Sequence, residues 1–181
     1  MPNPPRYQRY QPKRWYPPSM IQRLTANAQN QAWLSDTGSL TQKLRQYCPA
    51  LRVEIISEGF DTPHHDEAQN LRLPTQQQAW LRQIRLMCGD QPLVYARSVM
   101  PHFTMRNPWW HIKHLGHQPL GEVLFNQPQL KRSDFEFCRA AWPKQGSTSP
   151  LLARRCCFYN QNAPLLLTEV FLAQTWRLDS R

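Results

Sequence analysis

The sequence predicts an α+β fold with a mainly antiparallel sheet of about six strands and with helices grouped between the strands. Three observations predict this class. Six segments alternate in polarity or are continuously apolar, as strands are. Connections rich in Gly, Pro and Asn join several of them at hairpin spacing. Two further segments carry apolar residues at helical intervals. The 181 residues suffice for one domain with a buried core.

The first regular elements follow a proline-rich start. Apolar residues three or four positions apart predict a helix over residues 39–47, with Ser39 as its N-cap and Pro49 beyond its end. Alternation of apolar and polar residues then predicts a strand over 52–57. Residues 61–78 are polar and carry no period, which predicts a long loop.

The remaining strands are predicted as hairpins. Residues 80–88 and 93–100 flank a short connection with Gly and Pro, which is typical of an antiparallel hairpin. Residues 107–126 indicate two short helices, and Pro119 suits the first turn of the second. Three more strands are predicted at 135–142, 151–159 and 165–172, the last two joined by a turn-forming loop.

Composition and charge limit the classes of function. No apolar stretch approaches the roughly 20 residues that cross a bilayer, and the N-terminus lacks the apolar region of a secretory signal. We therefore expect a soluble, cytoplasmic protein. The formal net charge is +10, and half of it lies in the first 35 residues, which hold five basic residues and no acidic one. A modestly cationic remainder suits an anionic small molecule as well as nucleic acid.

The N-terminal segment is predicted to be separate from the domain. Residues 1–20 contain six prolines among Arg, Tyr and Trp, and proline disfavours a packed helix or sheet. We expect a flexible, basic leader over residues 1–31, a domain over 32–175 and a tail over 176–181. A basic aromatic arm for RNA or membrane surfaces and a transit peptide are the alternatives, although six prolines disfavour the amphipathic helix of a transit peptide.

The cysteines give no sign of a disulfide framework or a zinc site. Their number is odd, no C-x-x-C pair occurs, and two are adjacent. We predict that all five are unpaired thiols in a reducing compartment and serve as small core residues. They are Cys48, Cys88, Cys138, Cys156 and Cys157.

Two charged residues occur in strands that should be buried. Period-two alternation places Arg82 on the same strand face as Trp80, Ile84 and Leu86, where a guanidinium needs an anion, either from the protein or from a ligand. Glu169 lies in a strand that is apolar on both faces, where desolvation would suit it to act as an acid or base. The alternative for Arg82 is an internal salt bridge or a sheet-edge position, and that for Glu169 is a structural pair with Arg82 or Arg154.

Metal, nucleotide and serine-hydrolase sites have no support in the sequence. His111, His114 and His117 are three residues apart, a spacing that drifts around a helix, and no H-E-x-x-H motif occurs. We interpret them as exposed helix-face histidines. Nucleotide-binding glycine motifs and G-x-S-x-G are also absent from the sequence. We therefore predict no metal and no cofactor.

Several short blocks occur in order over about 140 residues, from Trp33 to Leu172. The blocks are Trp33-Leu34, Ser39-Leu40-Thr41, Ser57-Glu58-Gly59-Phe60, Trp80-Leu81-Arg82, Ala96-Arg97-Ser98-Val99, Pro101, Leu115-Gly116, Pro119-Leu120-Gly121, Leu124-Phe125 and Pro164-Leu165-Leu166-Leu167-Thr168-Glu169-Val170-Phe171-Leu172. In this order they resemble the chorismate lyase family, the chorismate pyruvate-lyases of ubiquinone biosynthesis.

The resemblance implies an antiparallel sheet with helical flaps over an enclosed ligand pocket. It also implies elimination of pyruvate from chorismate to form 4-hydroxybenzoate, without a cofactor. The family's ligand-contacting positions correspond to Leu40, Arg82, Leu120 and Glu169, of which Arg82 and Glu169 are the candidate catalytic residues. Arg82 and the backbone N–H groups of Leu40 and Leu120 would bind the ring carboxylate, and Glu169 would meet the ring hydroxyl. Leu40 replaces a usual methionine and conserves its volume, so the change should cost little if the backbone N–H makes the contact. If the thioether of the methionine shapes the pocket instead, we expect a change in substrate affinity.

Other functions are weighed against this one. The main alternative is a non-catalytic small-molecule-binding module that resembles the effector domains of bacterial transcription regulators. The residues before Ala32 are too few and too rich in proline for the winged helix of such regulators. Nucleic-acid binding has no fold signature in the sequence. We expect a monomer whose partners are chorismate and 4-hydroxybenzoate.

Overall fold

A computed structural model describes residues 11–12, 14–127, 129–141 and 151–180. Within them, eight strands form one antiparallel sheet in the order β1-β6-β7-β8-β4-β3-β2, with β5 paired to β7. The strands are β1 (Gln11–Pro12), β2 (Arg52–Asp61), β3 (Ala79–Cys88), β4 (Gln91–Met100), β5 (Lys131–Arg132), β6 (Glu136–Ala141), β7 (Leu151–Asn160) and β8 (Ala163–Phe171).

Four α-helices and three 3₁₀ helices accompany the sheet in the described residues. The α-helices are α1 (Ala28–Ser35), α2 (Leu40–Tyr47), α3 (His65–Asn70) and α4 (Leu120–Phe125). The 3₁₀ helices are Pro18–Arg23, Trp110–His114 and Thr175–Ser180. None of these helices is both long enough and apolar enough to cross a membrane.

The α+β class and the six predicted strands are confirmed. β2 is longer than predicted, and Trp142, the last residue of one predicted strand, lies outside the described residues. The two-residue strands β1 and β5 were not predicted, because two residues cannot show a period. In the β7–β8 hairpin, Asn160 pairs with Ala163, and Gln161 and Asn162 both have positive φ, as a tight hairpin turn requires.

One face of the sheet carries the main hydrophobic core. Trp33, Leu34 and Leu44, on α1 and α2, pack with the sheet residues of this face and are almost fully buried. The predicted helix over 39–47 is present, and the Ser39 side chain accepts a hydrogen bond from the Gln42 backbone N–H at 3.3 Å. The two short helices predicted within 107–126 are also present and cover the same face.

The opposite face is covered in part by α3, which lies within the predicted loop over 61–78. The prediction of a loop was therefore wrong for this helix. Helix α3 has a polar sequence, and an ion pair rather than an apolar stripe attaches it to the sheet. The Glu67 carboxylate is fully buried and accepts from Arg97 Nε at 2.7 Å and Nη2 at 3.0 Å. Burial disfavours the charged form of Glu67, but Arg97 outweighs this effect and holds its pKa below the usual range.

The described part of the predicted leader packs on the domain. Tyr16 and Phe137 exchange backbone hydrogen bonds of 2.8 Å, and Leu24 is 4% exposed in the main core. Helix α1 also crosses the predicted boundary at residue 31. Proline did not prevent this packing because Pro18 begins a 3₁₀ helix, a position that needs no backbone donor. Residues 1–10 and 13 lie outside the described residues.

The predicted tail packs on the core as well. Trp176 lies in the 3₁₀ helix Thr175–Ser180, and its ring stacks on that of Phe171 with centroids 5.3 Å apart. The Thr175 hydroxyl is fully buried and donates to the Leu93 backbone carbonyl. The domain therefore continues past the boundary predicted at residue 175.

The prediction of five unpaired thiols was wrong for two cysteines. Cys48 and Cys88 form a disulfide with their Cα atoms 6.0 Å apart. Cys48 follows the last residue of α2 and Cys88 ends β3, so the bond ties the C-terminal end of α2 to the sheet. The other three cysteines are unpaired and buried, as predicted for small core residues: Cys138, Cys156 and Cys157.

Candidate active site

A cavity of about 30 Å³ lies between the main-core face of the sheet and the helices α2 and α4. Phe125, which is 40% exposed, and the half-buried Arg132 are part of its lining. Because these side chains reach solvent, the cavity is partly open, and the fully enclosed pocket that we expected is not observed. The inner wall is formed by Leu40, Thr41, Ile84, Leu86, Ala96, Leu120, Phe135, Arg154, Cys156, Phe158, Leu167 and Glu169.

The N-terminal ends of α2 and α4 meet at the cavity. Leu40 and Leu120 are the first residues of the two helices, and both line the cavity. The first N–H groups of a helix have no partner within it. Gly121 permits the close approach, because a Cβ atom there would lie 3.1 Å from the Thr41 hydroxyl oxygen. The glycine of the Pro-Leu-Gly block therefore has a packing role.

Glu169 is the acidic residue of the described cavity lining. Its side chain is 13% exposed, and its Oε2 accepts from Arg154 Nε at 2.6 Å. The two residues are register partners on β8 and β7. Of the two structural partners considered for Glu169, the structure selects Arg154, and it leaves Oε1 without a hydrogen bond to any described residue.

Arg154 is held in place from several directions. Its Nη1 donates to the backbone carbonyl of Asp36 at 2.7 Å and, at 3.3 Å, to those of Trp33 and Leu34. The guanidinium also lies 4.5 Å from the centroid of the Phe135 ring, within the range of a cation–π interaction. These contacts fix the position of the Glu169 carboxylate beside the cavity.

Arg82 is 1% exposed and lies on the same face of β3 as Ile84, next to the cavity rather than in its lining. Its Nη1 donates to Glu58 Oε1 at 2.8 Å, and its Nη2 donates to the backbone carbonyls of Gly116 at 2.6 Å and Gln118 at 3.3 Å. The remaining Nε is buried and has no hydrogen-bond partner among the described residues. Arg82 thus forms the internal salt bridge that was its alternative role and holds the segment that leads into α4.

Sequence comparison decides the family. The sequence model of a family described as chorismate lyase matches residues 10–180. A probable chorismate pyruvate-lyase of Hydrogenovibrio crunogenus is 42% identical over 87% of this chain and 89% of its own length. The chorismate pyruvate-lyase of Pectobacterium atrosepticum is 36% identical over 79% of this chain and 76% of its own.

The chain belongs to the chorismate lyase family.

Solved structures show the same fold in proteins of another kind. The PhnF C-terminal domain superposes with a TM-score of 0.56 over 75% of this chain and 89% of its own, at 16% identity. The C-terminal domain of a histidine utilization repressor from Pseudomonas syringae reaches 0.51 over 69% of this chain and 93% of its own, at 11% identity. This chain therefore shares its fold with the C-terminal domains of PhnF and of that repressor.

The structure brings three of the four predicted positions, Leu40, Leu120 and Glu169, into the cavity of this family member and sets Arg82 beside it. Our prediction did not assign Arg132 or Arg154 to the site, although both line the cavity. A signal for Arg154 existed, since it interrupts an apolar strand as Arg82 does. The sequence around Arg132 gave no such signal, because the two-residue strand β5 is too short to show a period.

Other reactive groups offer no second chemistry at the cavity. Burial raises the pKa of the Cys156 thiol to about 12, so this lining residue stays protonated and is a poor nucleophile. Within the described ranges, no group of three or more His, Cys, Asp or Glu side chains is placed to hold a metal ion. His111, His114 and His117 are exposed, as predicted, but His117 lies in the turn before α4 rather than on a helix, and its Nδ1 is 3.0 Å from the Val53 carbonyl oxygen.

Proposed function

We propose that the protein is a chorismate pyruvate-lyase, which eliminates pyruvate from chorismate and leaves 4-hydroxybenzoate. The observation that carries this proposal is the Glu169 carboxylate, which lies in a mainly apolar cavity of a chorismate lyase family member. The relatives named above support it by their printed activity. Ubiquinone biosynthesis is the pathway that the family implies for this product.

The ring carboxylate of the substrate is bound at the Arg82 end of the cavity. Arg82 supplies its unpartnered Nε donor, and the first backbone N–H groups of α2 and α4, at Leu40 and Leu120, supply two more. One such charge contact at 4 Å is worth about 4 kcal/mol at an effective dielectric constant of 20, before desolvation is subtracted. Because backbone groups make the second set of contacts, leucine in place of methionine at position 40 changes little.

Glu169 acts on the ring hydroxyl. Arg154 holds Oε2 at 2.6 Å, which leaves Oε1 to accept the hydrogen bond of the hydroxyl that becomes the phenol. The bond between the ring carbon and the ether oxygen of the enolpyruvyl group breaks. The proton on the ring carbon that bears the hydroxyl is lost as the ring becomes aromatic. That proton ends on the methylene carbon of the departing group, which gives pyruvate. Fixed orientation of the hydroxyl favours this elimination.

The helices over the cavity must move for the reaction to occur. A cavity of roughly 150 Å³ accommodates benzene, whereas this one has about 30 Å³. A substituted ring therefore enters only when the segments that carry Leu40 and Leu120 shift away from the sheet. Their return excludes water from the bound ring, and reopening makes product release a slow step.

The decisive experiment supplies chorismate to the purified protein. Pyruvate is followed with lactate dehydrogenase and NADH, and 4-hydroxybenzoate is followed by its absorbance. We expect both products in equal amounts, without added metal or cofactor. Boiled protein and protein with Glu169→Gln are the controls.

A second candidate is a small-molecule-binding module without activity, which the fold likeness to the PhnF C-terminal domain favours. The same protein titrated with chorismate distinguishes the two functions. Tight binding without formation of pyruvate would favour the binding module and contradict the lyase.

A further inference from the structure

We propose that Arg132 binds the second carboxylate of the substrate, the one on the enolpyruvyl side chain. This inference rests on the proposed function, since chorismate carries two carboxylates and 4-hydroxybenzoate only one. Arg132 would then distinguish the dianionic substrate from the monoanionic product.

Several N–H donors of Arg132 have no hydrogen-bond partner among the described residues. It lies on β5 and lines the cavity, and its Nη1 donates to the Thr37 backbone carbonyl at 2.9 Å. Its guanidinium lies 4.7 Å from the centroid of the Phe135 ring. An arginine has five N–H donors. In Arg132 one of them is bonded to a described residue, so two adjacent N–H groups remain to bind both oxygens of a carboxylate.

The charge of Arg132 is also not balanced. In the part of the chain that the structure describes, no carboxylate lies within 4.0 Å of its guanidinium nitrogens. Arg154, the other guanidinium beside Phe135, is already paired with Glu169. This end of the cavity therefore holds two guanidiniums and one carboxylate, and a half-buried cation without an anion favours an anionic ligand.

The order of the strands places Arg132 on the correct side of Glu169. Arg132 on β5 and Arg82 on β3 flank Glu169 on β8, with one strand between in each direction. Across the sheet, at about 4.8 Å per strand, each arginine backbone is displaced roughly 10 Å from that of Glu169. The register also puts Arg82 level with Leu167 and Arg132 level with Leu165 of β8, which at about 3.3 Å per residue is roughly 7 and 13 Å along the strand from Glu169, toward the same end. In chorismate the ring carboxylate is opposite the hydroxyl, and the enolpyruvyl ether is next to the hydroxyl. With the ring carboxylate at Arg82 and the hydroxyl at Glu169, the second carboxylate points toward Arg132.

The test compares two ligands on Arg132 variants of the full chain. Arg132→Gln should lower kcat/KM for chorismate on the order of 10- to 100-fold, mainly through KM, because a charge-assisted contact is lost. The Kd for 4-hydroxybenzoate, measured by tryptophan fluorescence, should change less than about threefold, and this unchanged affinity also reports an intact fold. Arg132→Lys should recover part of the loss, because it restores the charge without the fork.

Lys131→Gln is the matched control. It removes an equal charge from the exposed neighbouring position and should leave both constants within about twofold. An equal loss of affinity for both ligands in Arg132→Gln, or a KM as in the unchanged protein, would overturn the assignment. If the unchanged protein forms no pyruvate, the lyase fails. The Kd values of chorismate and 4-hydroxybenzoate for the variants then still decide whether Arg132 binds the second carboxylate.

Discussion

The two faces of the sheet each bury an arginine–glutamate pair, and they use it differently. On the α3 side, Arg97 and Glu67 are 3% and 0% exposed, and both Glu67 oxygens accept from Arg97. On the cavity side, Arg154 holds one oxygen of Glu169, whose side chain is 13% exposed. A charge in an apolar strand therefore indicates a ligand site only where hydrogen-bonding capacity is left over. The first pair fastens a helix, and the second presents a carboxylate to a cavity.

The largest effect is expected on the α3 side. Glu67→Gln places a neutral amide against a buried guanidinium and should lower the free energy of unfolding by about 3–5 kcal/mol. Urea denaturation followed by tryptophan fluorescence measures this loss. At a temperature where the variant is folded, its kcat should be unchanged. A loss of kcat equal to that of Glu169→Gln would break the distinction between the two faces.

The disulfide on the cavity side should make the next largest contribution to stability. Cys48 and Cys88 are 40 residues apart, and a bond that closes a loop of this length stabilises by about 2–4 kcal/mol. Adding dithiothreitol should therefore shift the urea midpoint downward in the unchanged protein. Protein with Cys48→Ser and Cys88→Ser should not respond to the reductant. Equal midpoints in the unchanged protein with and without reductant would contradict the bond.

Glu169→Gln should affect the reaction more than the fold. The amide preserves the shape of the side chain but is a weaker acceptor for the ring hydroxyl, so kcat should fall on the order of 100-fold. The free energy of unfolding should fall less than in Glu67→Gln, since Arg154 keeps its three backbone carbonyl acceptors. Steady-state kinetics and urea denaturation of both variants give the comparison. Turnover close to that of the unchanged protein would remove Glu169 from the mechanism.

The smallest effect concerns pH. The folded-state pKa of Glu67 lies below its ordinary value of 4.5, so the unfolded chain binds the proton more readily. The stability that Glu67 contributes is therefore complete above pH 4.5 and is lost as the pH falls through its lower folded value. Urea midpoints from pH 6 down to about pH 3 should fall more steeply in the unchanged protein than in Glu67→Gln. Parallel curves would show that another group controls acid stability.

The sequence by itself determined the elements that depend on local pattern. Period-two alternation and turn residues located six strands, and the cap at Ser39 with apolar spacing located α2. The ordered family blocks pointed to Leu40, Leu120 and Glu169, which the fold brings to one cavity. Arg82 was correctly predicted to be buried, because period-two alternation shows which face of the strand a residue occupies. Alternation does not show which residues of other elements contact that face, so the partners of Arg82 could not be predicted.

Only the tertiary structure decided the pairings between distant positions. Strand order and register joined Glu169 to Arg154 rather than to Arg82, and they brought the unpredicted β5 with Arg132 to the cavity. The fold also placed Cys48 beside Cys88 and let Glu67 anchor a polar helix. Each of these contacts joins residues at least 15 positions apart. No local period encodes such contacts, because they depend on how whole elements pack against one another.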